Sequence, residues 1–240
     1  MGVWQNIRKL CRKGQRVNEY FKRQIALWGE ETQNSLQGKS VAIIGSGGLG
    51  STLGITLGSS GIGKMYLVDF DTVSIHNVHR QIAFTTADEG KSKSECLKKL
   101  VESRNPHVKV EAFCESFEEF IKRGLEFDLL IDATDNLPSR AAMNEWAKTN
   151  QKPWLYASVE EWRGQVCFFE KASYTDLFVV NDRKPGGITP PIVSFVASLE
   201  AIFALRYLAG QNVKKDELNF LYLNEDGTLS HQKFALAIKE

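Results

Sequence analysis

Cysteine is scarce and scattered in this chain. Four occur in 240 residues (Cys11, Cys96, Cys114 and Cys167), and no two form a C-x-x-C pair. That spacing speaks against a disulfide framework or a cysteine zinc site, and it makes a reducing cytoplasm the expected compartment. An excess of one charge is also lacking: 30 Lys and Arg against 29 Asp and Glu leave a net charge of +1. Neither nucleic acid nor a membrane surface is therefore expected as a general partner. Continuous apolar runs of spanning length are missing too. The uncharged stretch between Lys39 and Lys64 is dense in glycine and serine and is interrupted at residues 45–48, so it is not expected to cross a bilayer. Gly50, Gly54 and Gly58 fall at the spacing of membrane helix dimers, but they equally suit a helix whose backbone lies close on a sheet. Near the start, Arg8, Lys9, Arg12 and Lys13 have no apolar core behind them, and no signal peptide is expected. No internal repeat stands out.

What remains is a chain with a hydrophobic fraction of 42%, long enough for one large α/β domain. Residues 4–36 read as helical. β-branched and apolar runs predict strands at 40–44, 65–68, 108–113 and 127–131, separated by helical periodicity at 49–60 and 92–103 and a short helix at 117–121. A helix over 139–149 follows. Strands are then expected at 154–159 and 166–170, with Arg163-Gly164 as the turn between them. Residues 171–191 carry Lys184-Pro185-Gly186-Gly187 and Pro190-Pro191 and read as a long surface loop. An apolar helix at 192–208 and a hairpin of 218–223 with 229–234, turning at Asp226-Gly227, complete the chain. The expected fold is a Rossmann-like, mostly parallel α/β sheet continued by antiparallel strands, with N-terminal helices and a C-terminal β-hairpin. Residues 1–240 are read as one domain: a helical arm (1–38), a nucleotide-binding half (39–135) and a partner-binding half (136–240).

The chemistry begins at Gly45-Ser46-Gly47-Gly48-Leu49-Gly50, a G-x-G-G-x-G turn between a strand and a helix, with Asp69 about twenty residues on. Glycines there permit a tight turn and let backbone N–H groups reach phosphate at a helix N-terminus, while the acid binds ribose hydroxyls. Arg80, Lys91 and Lys93 follow, cations suited to a nucleoside triphosphate. Asn77 and Gln81 suit phosphate or metal-bound water, or else loop backbone. Asp132-Ala133-Thr134-Asp135-Asn136 ends a strand, where open α/β sheets bind ligands. Asp135 has two readings, a site carboxylate or the N-cap of the next helix. His76, His79, His107 and His231 show no ligand spacing. Cys96, Cys114 and Cys167 read as small buried hydrophobes.

Taken together, G-x-G-G-x-G followed by Asp69-Phe70-Asp71-Thr72-Val73, Asn77 and Arg80-Gln81 resembles the ThiF/MoeB/HesA family, relatives of the catalytic half of ubiquitin-activating enzymes. The resemblance runs from about Tyr20 to the C-terminus. It implies ATP-dependent adenylation of the C-terminal Gly-Gly carboxylate of a ubiquitin-like sulfur-carrier protein, with release of pyrophosphate, for thiamine or molybdopterin type sulfur transfer. It also implies Arg80, Lys93 and Asp135 at the phosphates, Mg2+ near Asp135, and a cofactor-binding set of Gly45, Gly47, Gly48, Gly50, Asp69, Asp71, Asn77 and Gln81. Lys93 matches the family's phosphate lysine better than Lys91. Arg23 matches an arginine that the family sends across a homodimer interface. Other targets of the same chemistry are a non-protein carboxylate or an RNA-linked amino acid, and a non-catalytic ATP- or partner-binding subunit is a further alternative.

The chain departs from the family at two places. Many relatives hold a structural zinc with two C-x-x-C pairs, yet residues 170–176 and the C-terminal hairpin contain no cysteine, so no structural zinc is expected. Relatives that form a covalent intermediate place a cysteine in the long loop, where this chain has Asp182-Arg183-Lys184-Pro185-Gly186-Gly187. Adenylation is left intact by both changes. Arg183 and Lys184 would suit an acidic partner or simply solvent.

Overall fold

The computed structural model describes residues 17–178 and 186–238. Cys11, Arg183 and Lys184 lie outside the described residues, as do residues 4–16 of the sequence-expected first helix and the middle of the loop. The first described helix, α1 (Lys22–Leu36), is broken at Gly29, whose φ is +85°. The nucleotide half then alternates: β1 (Ser40–Ile44), α2 (Gly48–Ser59), β2 (Lys64–Val68), the single turn α3 (Ile75–Val78), α4 (Lys93–Arg104), β3 (Lys109–Phe113), α5 (Phe117–Ile121) and β4 (Leu129–Asp132). Next come α6 (Leu137–Thr149), β5 (Trp154–Glu160), β6 (Arg163–Phe169), the single turn α7 (Tyr174–Leu177), α8 (Pro190–Leu208), β7 (Glu217–Leu223) and β8 (Leu229–Ala235).

The eight strands form one sheet in the order β3-β2-β1-β4-β5-β6-β7-β8. β3 through β5 are parallel, and β5 through β8 are antiparallel. This is the expected α/β architecture. Parallel strands need crossover helices, which cover both faces, so each central strand is apolar on both sides. In β1, Val41 and Ile43 face one core with Leu53 and Leu57 of α2 and Val196 of α8; Ala42 and Ile44 face the other with Phe120 of α5 and Met143 of α6. β8 has a neighbour on one side only and is almost wholly exposed. Helix α8 has 19 residues and a mean hydropathy of 1.5, long and apolar enough to cross a membrane by composition. Here its Ile192, Val193, Val196 and Ala197 belong to the first core.

Four sequence readings need correction. Arg163-Gly164 is not the turn but the start of β6, paired with Val159 and Glu160; the chain reverses at Glu161, whose φ is +52°. The glycine is there because α8 lies against it, and a Cβ at 164 would overlap Val196. Gly54 presses on α4 rather than on the sheet, and Gly58 on both: Cβ atoms there would stand 2.9 Å from Leu97 Cδ2 and 2.5 Å from Val101 Cγ1, the latter also 3.3 Å from Met65 Sδ of β2. Cys114 is exposed, whereas Cys96 and Cys167 are buried. Burial pushes the Cys167 thiol far above its ordinary range, so it is inert at neutral pH. Finally, the loop after β6 is only partly a surface loop, since Ala172, Ser173 and Tyr174 are buried. The carboxylate of Asp216 accepts the backbone N–H groups of Glu170, Lys171 and Ala172 at 2.9–3.1 Å, tying down the loop entry.

Candidate nucleotide site

β1 delivers the chain into the glycine turn at the carboxyl edge of the sheet. Gly45 has a φ of +98°, and a Cβ there would lie 2.6 Å from the carbonyl oxygen of Ala133. At Gly50 a Cβ would run into the Gly45 carbonyl. Both glycines are thus required by backbone approaching backbone, which no rotamer can relieve. Helix α2 begins at Gly48 with Gly47 as its N-cap and no side-chain cap, leaving its first N–H groups to face an anion.

Asp69, at the end of β2, ties this turn down. Its Oδ2 accepts the Ser46 N–H at 2.6 Å and its Oδ1 the Asp71 N–H at 2.8 Å. Desolvation pushes its carboxyl above the ordinary aspartate range, opposed by those two bonds and by Lys93. Lys93 Nζ donates to Asp71 Oδ2 at 2.8 Å from a side chain only 6% exposed. Lys91 instead pairs with Asp88 on the surface. The Asp88 carboxyl is held at about 2, first by the Thr85 N–H and then by the Lys91 ammonium. Arg80, half-buried, donates Nη2 to Asn77 Oδ1 at 3.0 Å and Nη1 to the His76 carbonyl at 3.3 Å.

These groups surround a cavity of about 580 Å³. Gly45, Gly47 and Gly48 line it, as do Asp69, Asp71, Arg80, Gln81, Lys93 and Asp135. Further lining comes from Glu115 and Phe117 beyond β3, and from Ser158 and Glu160 at the end of β5. Asp135 is exposed, and the N-cap of α6 is Asn136, whose Oδ1 accepts the Ser139 N–H at 3.0 Å. Of its two readings, the cap is thereby taken by its neighbour. Three sequence-proposed residues lie outside the lining. Gly50 acts through the turn, and Asn77 is buried and engaged with Arg80. Arg23 is exposed on α1.

Sequence reading missed the floor of the cavity. Asp132, fully buried, pairs with Arg140 of α6 at 2.9 Å. Burial raises the Asp132 carboxyl, and the Arg140 guanidinium opposes it. Asp132 stood in a quoted motif, but nothing in the sequence marked its partner eight residues on. Glu200 of α8 was missed too: it is 0% exposed, and burial raises its carboxyl well above the ordinary range. Neither of its oxygens has a hydrogen-bond partner among the described residues.

A Mg2+ ion needs little from protein, since it keeps several waters and takes one or two carboxylates plus substrate phosphates. Among the described residues no cluster of three His, Cys, Asp or Glu side chains offers a complete metal cage. The exposed Asp135 carboxylate and the unpartnered buried Oε1 of Gln81, both at the cavity, fit a metal that arrives with a nucleotide.

Comparison with known proteins agrees with this geometry. Among solved structures, Escherichia coli MccB with ATP superposes with a TM-score of 0.75 at 20% identity, over 86% of this chain and 66% of that one; the likeness is one of fold. Among curated relatives, the adenylyltransferase and sulfurtransferase MOCS3 of Dictyostelium discoideum is 34% identical over 83% of this chain. This chain spans about half of that protein, 49% of its length. The sulfur carrier protein adenylyltransferase of Thermus thermophilus is 32% identical over 76% of this chain and 73% of its own. The molybdopterin-synthase adenylyltransferase of Escherichia coli is 30% identical, over 79% and 82% respectively. The family model described as the ThiF family matches residues 21–237, from the helical arm through the glycine turn and the cavity to the last strand, and the chain belongs to that family.

Proposed function

We propose that this chain is an ATP-dependent adenylyltransferase that activates the C-terminal Gly-Gly carboxylate of a ubiquitin-like sulfur-carrier protein, in a thiamine or molybdopterin type of sulfur transfer. The observation that carries this reading is the cavity itself. A glycine turn, a ribose-ready acid, two cations and a free carboxylate meet in one place, and none of its lining residues is a cysteine. The matched relatives named for sulfur-carrier and molybdopterin-synthase adenylation supply the substrate class.

In this reading the glycine turn and Asp69 hold the phosphates and the ribose. Arg80 and Lys93 neutralise charge that grows as the carrier carboxylate attacks the α-phosphorus in line and pyrophosphate leaves. Asp135, with Gln81 of the same cavity, would hold Mg2+, which when bound screens the phosphate oxygens. Such a transfer asks for position and charge rather than a nucleophilic side chain. Lys93 suits the role better than Lys91, being buried at the cavity while Lys91 is spent on a surface pair. Asp71 would release Lys93 to the nucleotide, a modest exchange because Asp71 is half exposed.

The same proposal includes a homodimer in which Arg23 serves the partner's site; Arg23 is exposed and outside its own chain's cavity lining, as such a donor must be. It treats the chain as a single adenylation domain with nucleotide-binding (39–135) and partner-binding (136–240) halves, acting in the cytoplasm. The free, widely separated cysteines suit that compartment. The test is ATP–pyrophosphate exchange dependent on a Gly-Gly-ended carrier. Exchange that appears with carrier and falls steeply in Asp135→Ala, to a residual rate that can still be measured, supports the reading. AMP release with small carboxylates and none with carriers would redirect the chemistry to another acid. ATP binding without any turnover would make the chain a binding subunit.

A further inference from the structure

The Arg140–Asp132 pair is buried at the cavity, with Arg140 part of its lining. Replacing a buried salt bridge with well-packed apolar residues is often neutral or even stabilising, so stability alone is a poor reason to keep one. Its geometry suggests a different use. Arg140 Nε donates to Asp132 Oδ2 at 2.9 Å, and Nη2 donates to the carbonyls of Thr134 and, at 3.2 Å, Ala157. The guanidinium carbon lies 5.1 Å from the centre of the Tyr156 ring. The other oxygen of Asp132 accepts both the N–H and the hydroxyl of Thr134, at 2.9 and 2.7 Å. Thr134 is therefore held through its N–H, its side chain and its carbonyl.

On the far side, Asn136 is held as the N-cap of α6. One residue earlier, the Ala133 N–H donates to the Ile44 carbonyl at 2.7 Å, joining this segment to the glycine turn. Asp135 stands between these fixed points with its backbone pinned on both sides, and its carboxylate makes no hydrogen bond or ion pair among the described residues. A pinned backbone carrying an uncommitted carboxylate is the arrangement that preorganised ligation requires. Arg140 bonds at once to the end of β4, the loop after it and the neighbouring strand β5, so it ties the segment before Asp135 to the β5 wall of the cavity.

We propose that Arg140, with Asp132 and Thr134, is the positioning residue for Asp135: the buried pair aims that carboxylate at the reacting phosphate and governs turnover rather than nucleotide affinity. This rests on the adenylation reading above. The lysine variant keeps the charge but lacks the planar fork that reaches three acceptors together.

The experiment is a double-mutant cycle in ATP–pyrophosphate exchange with a Gly-Gly-ended carrier, using the full chain, with thermal melting of each variant. Arg140→Lys should lower kcat at least about 30-fold while KM for ATP stays within about threefold, a split that marks lost transition-state positioning. In an Asp135→Ala background the same change should lower kcat by less than about threefold, since a misplaced carboxylate cannot be missed once it is gone. Should Arg140→Lys fail to fold, Thr134→Val removes the hydroxyl tie to Asp132 Oδ1 while keeping the Arg140 bond to Oδ2, and it should show the same non-additivity at about fivefold. Multiplying effects in the cycle, or a rise in KM with kcat unchanged, would overturn the positioning role and leave adenylation standing. A wild-type chain that binds ATP yet exchanges no pyrophosphate with any carrier would overturn the adenylation reading, and the positioning role with it.

Discussion

The two halves of the sheet are built on different principles. From β3 to β4 the strands are parallel and connected by helices, β2, β1 and β4 are buried on both faces, and the close backbone approaches at Gly45 and Gly50 lie there. From β6 to β8 they are antiparallel and increasingly exposed, ending in a strand with one neighbour. The first half has little freedom at the site because Gly45, Gly50, Asp69 and Asp132 are each held by a specific partner. The second is held at a few points, above all by Asp216, which takes the loop entry through three backbone N–H groups. A nucleotide site needs the first kind of construction, since a displacement of an ångström at the phosphates is costly. A surface meant for a protein partner tolerates the second.

Substitutions can break or sharpen this contrast. The largest effect is expected for Gly50→Ala, which drives a Cβ into the Gly45 carbonyl. A loss of at least about 4 kcal/mol in stability is expected, seen as an insoluble or melted protein; a well-folded variant with unchanged ATP affinity by calorimetry would show the turn to be softer than it looks. Asp216→Ala should cost about 2–3 kcal/mol in urea unfolding, since charged hydrogen bonds are lost together, while ATP affinity changes by less than about threefold. Gly227→Ala, at a φ of +82° with open space around it, should cost only about 1–2 kcal/mol for the left-handed backbone. The two glycine variants thus compare tight packing with conformation alone.

Glu200 offers a pH test within the first core. Because burial raises its pKa well above 4.5, the folded protein keeps a proton that the unfolded chain gives up. The stability associated with that proton is complete below about pH 4.5 and falls as the pH climbs toward the folded-state value. Glu200→Gln should therefore match the wild type near pH 4 and exceed it at pH 8, by about 1 kcal/mol or 2–4 °C in Tm. Equal melting curves at both pH values would mean that the carboxyl is not desolvated. The smallest effect, within about 0.5 kcal/mol, is expected for the half-exposed Phe234→Ser on β8. If the same variant instead weakens carrier binding, the outer strand is part of the partner surface.

Much of this architecture was legible in the residues. Strand positions in the parallel half came within two residues because apolar runs closed by glycine or aspartate are local signals. The Asp226-Gly227 turn was equally plain. Arg163-Gly164 misled because a glycine beside a charge looks like a turn, whereas the requirement at Gly164 comes from α8, more than thirty residues later in the chain. Asn77 was read toward phosphate, metal-bound water or loop backbone, and the structure adds a partner that spacing did not name, the Arg80 guanidinium three residues on.

By itself the sequence determined that a nucleotide-type turn exists, where its acid lies and which cations are within reach along the chain, because those features depend on a few consecutive residues and their spacing. Only the tertiary structure placed Lys93 at the cavity and Lys91 in a surface pair, gave the N-cap to Asn136 and left Asp135 uncommitted, joined Arg140 to Asp132, and buried Glu200 without a hydrogen-bond partner among the described residues. Each of these depends on which side chain meets which once strands and helices are packed, and on how much water that packing removes. Spacing along a chain carries neither quantity.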